Sequence, residues 1–164
     1  MQETIKEWGQ VILRAAVVLL ILFYFCWPVR ILGSSMEPTY SDGNILCFSR
    51  ITSMTGNYHR GDVVVFDYYA EGERQTVLKR IIAMGGDTIQ ILTDGVYVNG
   101  EQLEEPYILG ETTGIADMTV PEGTVFVMGD HRDTSFDSRN MGVISMEDLK
   151  GKVIFSLFPP GKAK

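Results

Sequence analysis

Three segments of the chain carry residue types that could do chemistry together. The first is Gly33-Ser34-Ser35-Met36-Glu37-Pro38-Thr39. A serine near glycine at the start of a turn can present its hydroxyl and a backbone N–H together, which a nucleophile and its oxyanion hole require. The same stretch also fits an ordinary turn. The second is Thr76-Val77-Leu78-Lys79-Arg80-Ile81-Ile82. Strand alternation puts Val77, Lys79 and Ile81 on one face and Leu78, Arg80 and Ile82 on the other. A lysine among aliphatics either decorates an edge strand against aggregation or is desolvated so that its amine can act as a base. At the ordinary pKa near 10.4 only about 0.04% of lysine is neutral at pH 7; lowering the pKa by two raises that fraction roughly a hundredfold, at about 2.7 kcal/mol. The third segment runs from Gly129 to Gly142 and holds three carboxylates, two arginines and two serines. It reads either as a solvated loop or as a buried network in which Asp and Arg neutralise each other and fix catalytic side chains. Its spacing does not gather carboxylates as a hard-cation loop does.

Short β-branched runs bounded by turn residues must position these groups. They are Asn44–Ser49, Asp62–Tyr69, Thr76–Ala83, Thr88–Leu92, Val96–Val98, Thr124–Met128 and Lys152–Leu157, separated by turns such as Gly85-Gly86-Asp87 and Asn99-Gly100. Ser145–Leu149 fits a single helical turn capped by Ser145. The N-terminus differs: Val11–Val29 is apolar apart from Arg14. As a helix it would span roughly 28 Å, close to the thickness of a bilayer core. Aromatic residues crowd its far end and Pro28 is expected to stop it. The flanking Trp27-Pro28-Val29-Arg30-Ile31 is a poor leader-cleavage site, so an uncleaved membrane anchor is expected. Lys6 and Arg14, offset by Glu3 and Glu7, give a weak vote for a cytoplasmic N-terminus.

The chain is 164 residues long with a net charge of −7, enough for one core. Residues 1–30 carry +1 and the remainder −8. That acidic balance argues against nucleic-acid binding. Cys26 and Cys47 form neither a disulfide framework nor a zinc pattern and read as a helix residue and a strand residue. His59 and His131 read as loop residues.

Taken in order behind the anchor, GSSMEPT at 33–39, GDVVVF at 61–66, LKRIIAMGGDTI at 78–89 and GDHRDTSFDSR at 129–139 resemble bacterial type I signal peptidases over essentially the whole chain. The resemblance implies a mainly β protein: one N-terminal transmembrane helix (1–30, with its cytoplasmic tip) and a single all-β catalytic domain (31–164) outside the cytoplasm, single-pass in the cell membrane. It implies a Ser/Lys endopeptidase that removes signal peptides from exported preproteins after small residues, without metal or cofactor. Ser35 matches the nucleophile, with its own N–H facing the oxyanion, and Lys79 matches the general base. Ser135 matches the serine that positions the lysine amine, Asp137 and Arg139 a supporting ion pair, and Asp130 and Arg132 structural members of the loop. Ser34 and Met36 flank the nucleophile. Implied partners are signal peptides, the lipid bilayer and the secretion translocon. Gly33 stands where some relatives carry a serine that helps the oxyanion, so Ser34 or a second backbone donor must serve there. The compact length is similar to the Gram-positive form. Self-cleaving Ser/Lys repressors would need a DNA-binding domain where the anchor lies. A narrow-substrate or inactive relative serving pilus or surface-protein assembly is the remaining alternative.

Overall fold

The computed structural model describes residues 2–70 and 72–157, with the side chains of 2–6, 20–26 and 70 outside the description. Helix α1 (Gln2–Phe25) leads into β1 (Cys26–Arg30), β2 (Ile45–Ser49), α2 (Ile51–Thr55), β3 (Val63–Ala70) and β4 (Glu73–Met84). Then come β5 (Thr88–Leu92), β6 (Gly95–Val98), β7 (Glu101–Gln102), β8 (Asp117–Thr119) and β9 (Thr124–Met128). The chain continues through α3 (Ser138–Met141), β10 (Ile144–Ser145), a 3₁₀ turn (Met146–Asp148) and β11 (Leu149–Ser156). The anticipated β-branched runs fall on strands apart from the end residues Asn44, Asp62 and Leu157, and the anticipated helical turn is the 3₁₀ turn, with Ser145 Oγ accepting from Glu147 N at 3.3 Å.

The strands form two antiparallel sheets. One has the order β1-β2-β11-β3-β4-β9-β10 and the other β7-β6-β5-β8. Alternation along β4 feeds two cores. Ile82 joins Ile89, Ile91, Val96, Val98, Phe126 and Met128 in the core that includes the small sheet. Ile81 joins Val64, Phe66, Val125, Val127 and Leu149 in another, where Val77 and Met141 also pack. β4 is therefore an interior strand, and the edge-strand reading of Lys79 does not hold for the strand as a whole. Its interior character is incomplete, however. β3 pairs along Glu73–Arg80, whereas β9 pairs only with Arg80–Met84. Over 73–79, β4 has one open edge among the described residues.

The N-terminal segment departs from expectation at its far end. The helix ends at Phe25, before Pro28, and Cys26–Arg30 pairs antiparallel with β2. Trp27 precedes a proline and is steered away from helical dihedrals, while Pro28 is tolerated because β1 is the sheet's outermost strand. Residues 7–19 of α1 are exposed on every face. Among the described residues no helix is long and apolar enough to cross a membrane; the side chains of 20–26, in the second half of the proposed anchor, fall outside them. Cys47 is disulfide-bonded, which corrects the reading of the two cysteines as unlinked residues; the side chain of Cys26 lies outside the described residues.

Candidate active site

The nucleophile segment is a tight turn pinned at both ends. Gly33 adopts φ 95°, a conformation that costs glycine little, and its N–H donates to Asp42 Oδ1 at 2.8 Å. Downstream, Glu37 N donates to Ser34 O (3.0 Å) and Tyr40 N to Met36 O (2.9 Å). Met36 is 1% exposed, so its burial anchors the turn and leaves the half-buried Ser35 directed at the neighbouring strand. Ser35 O accepts from His131 N at 3.0 Å. The Ser35 N–H makes no hydrogen bond among the described residues.

Lys79 Nζ lies 2.8 Å from Ser35 Oγ. The lysine is 4% exposed, paired across the sheet with Val64 in the β3–β4 register. Burial pushes its amine down from 10.5 to about 8; Asp137 raises it, Arg139 lowers it, and Asp130 raises it. At that value about one lysine in ten is neutral at pH 7, against a few in ten thousand in water. The site thus holds a weak nucleophile beside an amine able to take its proton.

Three ion pairs frame the dyad, and sequence spacing disclosed only one of them. Asp137 is fully buried, and Arg139 pairs with it through Nε–Oδ1 (2.8 Å) and Nη2–Oδ2 (2.9 Å). Burial alone would raise the Asp137 carboxyl, but Arg139, the Gly129 amide (3.0 Å) and Ser135 together hold it below the usual range. Asp130 pairs with Arg80, at 2.8 and 2.6 Å, and not with Arg132. Thr39 donates to the same carboxylate at 2.5 Å, which ties the nucleophile turn to the strand beneath it. Arg80 also stacks over Tyr107 at 4.1 Å. Arg132 is 1% exposed and bridges to Glu105 (2.9 and 2.5 Å), Thr112 and Gly129 O. Within the Gly129–Gly142 segment Asp130, Arg132, Asp137 and Arg139 thus belong to neutralised buried ion pairs, whereas Asp133, Thr134, Phe136, Asn140 and Gly142 are exposed.

Ser135 is buried, 8% exposed. Its hydroxyl is near enough to Asp137 to favour that carboxylate, but lies outside hydrogen-bonding geometry with every described group, Lys79 included. Gly129 is where this crowding is felt: a Cβ there would overlap Ser135 Oγ, Ser135 Cβ and Ser35 O. Ser34 lines the cleft beside Ser35. His59 sits exposed in the turn before β3, Nδ1 3.8 Å from Asp62. His131 holds Ser35 by its backbone. The residues that sequence reasoning missed are Arg80, Glu105, Thr39, Tyr107 and Gly129. Arg80 carried a signal in retrospect: a cation among aliphatics on the opposite face from Lys79 needs its own buried partner. No group of side chains able to hold a metal ion occurs among the described residues.

Two clefts meet at the dyad, and Ser35, Gln75, Val77 and Lys79 line both of them. A cleft of about 450 Å³ is lined by Ile31, Met36, Val65, Thr76 and Leu78. A wider one of about 630 Å³ lies on the Lys79 face, between β3–β4 and the Thr134–Met141 segment.

The family model described as "Signal peptidase, peptidase S26" matches residues 5–158. Signal peptidase I U of Bacillus subtilis (strain 168) is 36% identical, covering 94% of this chain and 87% of the relative. Signal peptidase I of Bacillus licheniformis is 35% identical, over 96% and 91%. Signal peptidase IB of Staphylococcus aureus (strain COL) is 32% identical, over 97% and 92%. Among solved structures, a signal peptidase I from Enterococcus faecalis V583 superposes with a TM-score of 0.53 at 29% identity, covering 60% of this chain and 97% of that one.

Proposed function

Because the chain belongs to the signal peptidase family, peptidase S26, and is a serine endopeptidase that removes signal peptides from exported preproteins, we propose that Ser35 and Lys79 perform the cleavage. The observation that carries this is the 2.8 Å contact between Lys79 Nζ and Ser35 Oγ with the lysine 4% exposed. The preprotein adds as an extended strand along the open edge of β4 at 73–79. Neutral Lys79 takes the Ser35 proton as Oγ attacks the scissile carbonyl. The Ser35 N–H, which makes no hydrogen bond among the described residues, meets the oxyanion, and Ser34 supplies the second donor. The ammonium so formed gives its proton to the leaving amine, the mature chain departs, and water activated by the same lysine hydrolyses the acyl-enzyme. The residue before the cut faces the cleft walled by Met36, Ile31 and Leu78.

Ser135, whose buried hydroxyl has no hydrogen-bond partner among the described residues, is the acceptor available to orient the amine, and being uncharged it does so without stabilising the ammonium. Asp137 and Arg139 hold the segment carrying it. The exposed, apolar α1 supports a single-pass anchor in the lipid bilayer, within an N-terminal unit of residues 1–30. The N-terminus is then cytoplasmic and the 31–164 catalytic domain extracytoplasmic, beside the secretion translocon. Cleavage of a model preprotein by the detergent-solubilised chain, with products located by mass spectrometry, tests the assignment: a cut after a small-x-small site, absent in Ser35→Ala, is the expected result. Cleavage that survives Ser35→Ala would overturn it.

A further inference from the structure

A third cleft, of about 530 Å³, opens where α1 gives way to the large sheet. Trp27 lines it from β1, Arg50 and Ser53 from the α2 segment, Arg74 and Thr76 from β4, and Lys150 from β11. Three of these residues are cations, and no carboxylate lines the cleft among the described residues. Asp67 is shared between Lys150 Nζ at 2.5 Å and Arg74 Nε at 2.6 Å, so one negative charge meets two positive ones. The Arg50 guanidinium stands over the Trp27 ring, 5.7 Å from its centroid. This gathering of positive charge runs against a net charge of −8 over residues 31–164.

What the cleft can hold follows from where it sits. Trp27 is two residues past Phe25, the last residue of α1, so no more than about 7 Å of chain separates them. The headgroup layer outside the hydrocarbon core is roughly 5–8 Å deep on each side of a bilayer. With α1 as the anchor, Trp27 and the guanidinium over it therefore lie at headgroup depth, a position that suits both side chains. The short α2, which follows Arg50 and lends Ser53 to the cleft, also exposes Ile51 (44%) and Met54 (73%). Cations beside exposed apolar side chains match the two halves of a phospholipid, whereas a soluble anion uses only the first. We propose that this cleft takes the phosphate of an anionic phospholipid, with Arg50, Arg74 and Lys150 as its charged contacts. This rests on the anchor reading of α1 and goes beyond it. The cleft shares Val29, Val65, Arg74 and Thr76 with the 450 Å³ cleft that reaches Ser35. A headgroup held there fixes the sheet's rotation about α1 and lays the route to the dyad along the bilayer surface.

The chain's two tryptophans are Trp8 and Trp27, so Trp8→Phe leaves Trp27 as the sole reporter. The full chain in neutral detergent is titrated with dihexanoyl phosphatidylglycerol, dihexanoyl phosphatidylcholine or inorganic phosphate. A saturable change in Trp27 emission with phosphatidylglycerol alone is expected. Arg50→Gln together with Lys150→Gln should raise its midpoint by roughly fivefold for each cation removed. Arg50→Lys together with Lys150→Arg should largely keep the wild-type midpoint, which separates lost charge from lost folding. An equal response to phosphatidylcholine, or a midpoint that the neutralising pair leaves in place, overturns the site. A response to inorganic phosphate at matching concentrations makes it a soluble-anion site, and a response to an Asp-rich peptide but not to lipid makes it a protein site; either overturns the lipid. Flotation of the chain with phosphatidylcholine vesicles reads the anchor separately. Failure to float overturns the anchor and this proposal with it; flotation without a phosphatidylglycerol response overturns the headgroup site alone.

Discussion

The depressed Lys79 amine makes a prediction that couples rate to stability. The fall from 10.5 to about 8 corresponds to about 3 kcal/mol of disfavour for the buried ammonium. Between those two values the unfolded chain holds a proton that the folded chain has released, so the stability of the wild type rises with pH across the window. Below pH 8 both states are protonated and the full cost falls on the folded protein; above 10.5 neither is and the cost vanishes. Lys79→Met keeps an unbranched apolar stem and removes the charge. It is expected to be more stable than wild type by up to about 3 kcal/mol at pH 7, with the advantage shrinking as pH passes from 8 to 10.5. Denaturant melts of the two proteins at half-unit pH steps would measure this. In parallel, wild-type kcat/KM should fall about tenfold per pH unit on the acid side, with a midpoint near 8, because only the neutral amine can accept the serine proton. A stability difference that does not change with pH, or an acid limb centred near 6 or 10, would refute the argument that burial tunes this lysine.

Ser35→Ala and Lys79→Ala should each lower cleavage by at least about a thousandfold with an unchanged circular dichroism spectrum, since the proposed mechanism has both act on the reacting atoms. Ser135→Ala should retain weak activity with a displaced acid limb, because in the proposed mechanism it orients the amine and does not react. Asp137→Ala leaves Arg139 as an unpaired buried cation and should cost about 3–5 kcal/mol, read as a loss of denaturation midpoint before any loss of catalytic chemistry. Gly129→Ala should inactivate the enzyme, because the added methyl and the Ser135 side chain require the same space; a fully active variant would contradict the packing described.

Much of this was legible from residue type and spacing. Lys79 stood out because a strand otherwise made of aliphatics carries a cation on each face, whereas the turn around Ser35 fitted an ordinary turn equally well and was singled out through the family resemblance. The strands followed from β-branched runs between turns. The network partners were hidden for a physical reason: the Asp130–Arg80 and Arg132–Glu105 pairs join residues far apart in sequence, and neighbouring opposite charges within 129–139 offered shorter, wrong pairings. β1 was concealed because a proline that ends a helix and one that sits in an edge strand read alike. Likewise, Cys47 next to apolar residues reads as core until the fold shows that it is bonded. Nor could alternation alone reveal that the strands split into two sheets, because each strand is amphipathic or apolar in the same way whichever partner it finds.

The half-open β4 also bears on how the enzyme could be blocked by a synthetic ligand. Only one flank of a bound extended chain can meet backbone groups of 73–79; its other flank faces away from that strand. Amides on the β4-facing flank must stay as they are, whereas those on the outer flank can be N-methylated at every second residue with no hydrogen bond to β4 lost. Such a backbone would resist pairing with copies of itself and shed the polar N–H groups that slow passage into lipid.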